Sequence, residues 1–150
     1  MGTAIWITSR LPTSQREALE QLVFFNANQH RVRPGIEQSI RTYGAPEIYE
    51  FEGSLRVRVG IVRDVQTLFA VNELGRPVGV AVFVRQEQAR FVVLHVVVEP
   101  RAGLVAGLAN PVLLRLMHEI RRAARITRGV DRIELPYKGD HAVRLQTTRI

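Results

Sequence analysis

The spacing of apolar and polar positions changes several times along the chain, and each change marks an element. Residues 4–8 (AIWIT) are a short apolar run rich in β-branched and aromatic side chains, closed by Leu11-Pro12, and they predict a strand. Ser14 and Glu17 stand at the spacing of a capping box, in which the serine hydroxyl and the glutamate satisfy the free amides of a helix start. Ala18, Leu19, Leu22, Val23 and Phe25 then recur at helical spacing, so a helix is predicted over 15–28 with one face on a core. A second, short helix is predicted over 34–43: Pro34 suits a first turn, Ile36, Ile40 and Tyr43 share a side, and Gly44 ends it.

Beyond Ala45-Pro46 the period falls to two. Ile48, Tyr49 and Phe51, a Gly53-Ser54 turn, and Leu55, Val57, Val59 and Ile61 alternating with Arg56, Arg58 and Gly60 predict a hairpin with one polar face. Three further strands are predicted over 67–72, 77–85 and 90–99, with turns at 73–76 and 86–89, as an antiparallel meander. The last of these, FVVLHVVVE, is apolar on both faces and belongs in the middle of a sheet.

A glycine-containing loop, PRAGLVAGLA, follows, and Asn110-Pro111 supplies an N-cap and a first-turn proline for a helix. Leu113, Leu116, Met117, Ile120 and Ala124 of that helix face inward, Arg115, His118, Glu119, Arg122 and Arg125 face outward, and Gly129 stops it. The next predicted strand, 131–135, is broken by Pro136. Strand, helix and strand in succession make 90–135 a crossover that sets two parallel strands into an otherwise antiparallel sheet. No repeat, linker or low-complexity stretch divides the chain, so residues 1–150 read as one domain.

With 150 residues, 46% of them apolar and 23% charged, the chain has the balance of a globular domain that needs neither disulfides nor metal to hold a core. The absence of cysteine removes thiol nucleophiles, zinc ribbons and iron–sulfur clusters. The four histidines, His30, His95, His118 and His141, share no ligand spacing with one another or with carboxylates, and no metal is expected. No apolar run approaches the roughly 20 residues of a membrane helix, and the amino terminus does not read as a secretory signal, so a cytoplasmic protein with no membrane partner is expected.

Of the 21 basic residues all but Lys138 are arginine, which gives a net charge of +7 carried by groups suited to phosphate. Arg56 and Arg58, with Arg121, Arg122, Arg125 and Arg128, could form a nucleic-acid surface. No aromatic interleaving accompanies them in the sequence, and solvated faces account for them equally well.

A glycine-containing loop between a buried strand and a capped helix is a physical anion site, because its backbone amides turn inward and the helix start favours negative charge; glycine also serves turning alone. The order strand, helices, meander, loop, long helix and strand, with Val98-Glu99-Pro100 just before the loop, resembles the GNAT superfamily of N-acetyltransferases. The resemblance covers residues 67–135 well and 4–43 by element order. It implies an α+β fold with a mixed, mostly antiparallel central sheet, flanking helices and a truncated C-terminal part.

It also implies acetyl-CoA as co-substrate and an amine-bearing small molecule or protein as acceptor. By the same resemblance the pantetheine arm would lie along Leu94, Val96, Val97 and Val98, and the pyrophosphate on Arg101, Gly103, Val105, Ala106, Gly107, Leu108, Ala109 and Asn110. Gly107-Leu108-Ala109 matches the second half of the family's loop pattern; Leu104 stands where Arg or Gln is usual, and Arg101 is the substitute from a longer loop.

Amine acetylation needs a base for the ammonium proton and an acid for the departing thiolate. Glu99, at the end of the central strand, is the candidate base, against a solvated strand end. His95 is a second candidate, against a hydrogen-bonded core histidine. Tyr137 is the candidate acid, against packing of its ring; Glu134 and Asp140-His141 are weaker. A non-catalytic GNAT-fold binding protein and a basic nucleic-acid-binding protein are the alternative readings, and the oligomeric state stays open, a homodimer included.

Overall fold

The computed structural model of the chain describes residues 4–25, 44–60, 62–99, 111–135 and 143–145. Nine strands and two α-helices follow one another there: β1 (Trp6–Thr8), β2 (Leu11–Pro12), α1 (Arg16–Phe24), β3 (Pro46–Phe51), β4 (Ser54–Val59), β5 (Gln66–Val71), β6 (Pro77–Gln86), β7 (Arg90–Val98), α2 (Pro111–Ile126), β8 (Arg132–Leu135) and β9 (Val143–Leu145). The helix predicted over 34–43 lies outside the described residues.

Six strands form the central sheet in the order β1-β5-β6-β7-β8-β9, and β2-β4-β3 form a small second sheet. Every central pair is antiparallel except β7 with β8, which run parallel on either side of α2. The expected crossover is therefore present, and the sheet is mixed and mostly antiparallel. β9 was not legible as a strand in the sequence.

Two cores lie on opposite faces of this sheet. On one, Val80, Val82, Val84, Val92, Leu94 and Val97 pack with Leu19, Leu22 and Val23 of α1 and with Leu55, Val57 and Val59 of the small sheet. On the other, Ala81, Phe83, Phe91 and Val93 meet Val112, Leu116, Met117, Ile120 and Ala124 of α2. Gly79 allows α2 to approach: a Cβ there would lie 2.7 Å from Val112 Cγ1 and 3.1 Å from Leu116 Cδ1. Buried Thr67 ties the sheets together, its hydroxyl donating to Val57 O at 2.8 Å and accepting from Val57 N–H at 3.3 Å.

Two details of the sequence reading are corrected. The capping box at Ser14 and Glu17 does not form: residues Thr13–Gln15 make a 3-10 turn, the α-helical N-cap is Gln15 and no side chain caps it. A tight turn already fixes the chain direction there, so the serine does not stand at the boundary a box requires. Leu11-Pro12 does not merely close β1 but pairs with Leu55 and Ser54, since Leu11 is apolar enough to enter the core and Pro12 sits on an edge that tolerates a missing donor.

Candidate active site

The site is built around β7, whose alternation breaks midway. Phe83 pairs with Val93 and Val82 with His95, which leaves Leu94 as an extra residue opposite the β6 ladder. Such a bulge bends its strand and increases the local twist. It also shifts the side-chain frame: Leu94 belongs to the α1-side core, and His95, in register with Val82 of that same core, faces the same way. Beyond it Val96 and Val98 return to the α2 side.

The parallel partner lies beside the first part of β7. β8 is in register with β7 at Arg90, Phe91 and Val92 and has one further residue, Leu135, whereas β7 runs on to Val98. Among the described residues the last of these pairs is Val92 with Glu134, and the bulge of β7 at Leu94 falls two residues beyond it. Glu99 N–H donates to Val78 O on β6 at 2.8 Å, so alternation of the backbone directs the N–H and C=O of Val96 away from β6, toward the side of the sheet on which β8 lies. The start of the parallel pair is pinned by Arg90, which donates to Glu134 at 2.7 Å. That bond, with a longer contact from Arg132 at 3.9 Å, gives Glu134 a structural task.

Leu94, Val97 and His95 are buried, and Val96, Val98 and Glu99 are partly exposed. His95 is 2% exposed, and desolvation pushes its pKa down from 6.5 to about 4, so the ring is neutral at neutral pH. Glu99 follows the last residue of β7. The loop residues Arg101, Gly103, Val105, Ala106, Gly107, Leu108, Ala109 and Asn110, with Tyr137, Asp140 and His141, lie outside the described residues. α2 does begin at Pro111, as the Asn110-Pro111 pair predicts. Among the described residues no group of three or more ligand-type side chains could hold a metal, and no helix is long and apolar enough to cross a membrane.

No family model and no curated protein matches the sequence. Solved structures similar to the chain include the IAA acetyltransferase from Bacillus cereus, at 16% identity over 88% of this chain with a TM-score of 0.45. An acetyltransferase of the GNAT family from Staphylococcus aureus aligns at 14% identity over 88% of this chain and 73% of its own, with a TM-score of 0.47. N-acetylglutamate synthase from Neisseria gonorrhoeae, solved with coenzyme A and N-acetyl-glutamate, aligns at 14% identity, 90% of this chain, 26% of its own and a TM-score of 0.45. The chain spans 65% of the length of the Bacillus cereus protein. Likeness at this level concerns architecture alone, and the functional reading rests on the bulged end of β7.

The arginines singled out in the sequence separate into two groups. Arg121, Arg122, Arg125 and Arg128 are exposed, as a solvated face would have them. Arg56 and Arg58 are different: Arg56 lies over the Phe51 ring at 4.9 Å and Arg58 over the Tyr49 ring at 4.8 Å. The expectation of no aromatic interleaving is therefore corrected. The aromatics come from the neighbouring strand, where the two-residue turn at Glu52-Gly53, both with positive φ, sets Tyr49 opposite Arg56 and Glu47 opposite Arg58. That turn was the available signal, because it fixes the cross-strand register.

Proposed function

We infer that the chain is an acetyl-CoA-dependent N-acetyltransferase of the GNAT type acting on an amine carried by a small molecule or a protein. The observation that carries this reading is the bulge in β7 at Leu94, beyond which the N–H and C=O of Val96 are directed away from β6. An extended ligand lying beside β7 there would find in them partners for the amides of a pantetheine arm. The α2 start at Pro111 supports a pyrophosphate site on the preceding loop, since the first amides of a helix lack intrahelical partners.

Acetyl-CoA supplies a thioester carbonyl open to attack by a neutral amine. In this reading Glu99 accepts a proton from the acceptor's ammonium, directly or through water; as the new carbon–nitrogen bond replaces the carbon–sulfur bond, Tyr137 donates its phenolic proton to the departing sulfur, and the second proton lost by the amine nitrogen restores the phenol. His95 is sealed from solvent on the α1 side, and its burial favours holding the bulge over exchanging protons with a substrate.

The test is acetyl transfer to a panel of polyamines, aminoglycosides and peptide amino termini. Tyr137→Phe is expected to lower turnover by about 10²-fold or more with CoA affinity unchanged, and Glu99→Gln to flatten the acidic limb of the pH profile. Full activity of Tyr137→Phe would remove the acid assignment. Tight CoA binding with no acceptor acetylated would replace the transferase by a non-catalytic binding protein.

A further inference from the structure

The outer face of the small sheet carries a surface that acetyl transfer does not use. Inward-pointing Leu55, Val57 and Val59 alternate on β4 with Arg56 and Arg58, so the arginines stand on the side away from the central sheet. Tyr49 and Phe51 share that side from β3, and they line a groove of about 630 Å³ together with Arg56, Arg58, Arg63 and Asp64.

The charges there are unequally engaged. Arg58 is held by Glu47 through two bonds, at 2.9 and 3.2 Å. That pairing holds the glutamate carboxyl below the usual carboxylate range. Arg56 makes no ion pair among the described residues; its Nε is buried without a hydrogen-bond partner, and its contact is the face of Phe51. Arg63 is exposed, and Phe51 is 48% exposed.

We propose that this face binds single-stranded nucleic acid, with bases stacked on the Phe51 and Tyr49 rings and their guanidinium caps, and with phosphates on Arg56 and Arg63. Three physical arguments select this occupant. Exposed Phe51 and half-buried Tyr49, two residues apart on a strand, lie about 7 Å from one another on one face, a step over which an extended single strand can place successive bases. Rings and guanidinium planes both offer surfaces on which any base stacks. Asp64 and the Glu47 pairing keep the local charge modest, so attraction rests on stacking together with the chain's net +7 rather than on charge alone. A polyanion without rings would gain little from this groove.

The experiment measures fluorescence anisotropy of labelled 12-nucleotide oligo(U) and oligo(dT) with the full chain at several salt concentrations. A duplex of the same length, heparin and poly-glutamate serve as competitors. Binding is expected to favour the single strands. Phe51→Ala should weaken it about tenfold or more, while Phe51→Trp retains it; melting curves confirm that each variant is folded. Arg56→Gln should weaken binding and lower the slope of log affinity against log salt by about one, whereas Arg125→Gln on α2 changes affinity by about twofold at most. The proposal is overturned by no binding at low salt, by Phe51→Ala binding like the unaltered chain, or by heparin or poly-glutamate outcompeting the oligonucleotides. None of these outcomes bears on CoA binding, so this proposal and the transferase reading fail separately.

Discussion

His95 shows how a single residue in an apolar strand acquires its environment from the frame around it. In an unbroken period-two strand it would alternate with Leu94 and lie on the α2 face; the extra residue puts both on the α1 face, in a core of valines and leucines. The consequence is a neutral imidazole whose pKa is lowered to about 4. The unfolded chain takes up that proton near pH 6.5 and the folded chain only near 4, so stability is complete above about 6.5 and declines as pH falls through this window. The loss by pH 4 is on the order of 3 kcal/mol. Denaturant melts of the protein and of His95→Leu between pH 7 and 4 read this directly. The difference between the two should change by about that amount, and a constant difference would mean the ring is not buried in neutral form.

At the scale of elements, the meander and the crossover were legible because their signals are local: turn residues at 73–76 and 86–89, a proline opening α2 and a change of period after residue 45. The bulge was not. A strand apolar on both faces carries no polar marker to show a one-residue frame shift, so FVVLHVVVE reads the same with or without it. β2 was missed because two residues show no period, and the Arg56 and Arg58 stacking because its partners are distant along the chain and near only across the hairpin.

Gly79 sets the seat of α2. Its place opposite Val98, under Val112 in the first turn of the helix, links β6 to the segment that opens the candidate phosphate site. Gly79→Val should therefore lower stability by about 1–3 kcal/mol through overpacking, seen as a reduced melting temperature, and should displace the start of α2. An unchanged melting temperature would show that the helix seat is looser than the 2.7 Å approach implies.

At the scale of the whole molecule, the described residues form a mixed sheet with a helix on one face, a helix and a small sheet on the other, and one parallel pair, β7 with β8. The two proposed sites lie on different parts of it. The cofactor reading uses β7 beyond its bulge, whereas the stacking surface uses the outer face of β3 and β4, so substitutions in one should leave the other intact.

The most direct test is isothermal titration calorimetry with acetyl-CoA and CoA. Saturable binding of one equivalent, together with a melting temperature that rises with ligand concentration because only the native state binds, is the expected result. Gly107→Val, which blocks close approach of backbone to phosphate, should abolish both signals while leaving the chain folded. No heat and no thermal shift at millimolar CoA would contradict the assignment of a cofactor site to the bulged end of β7.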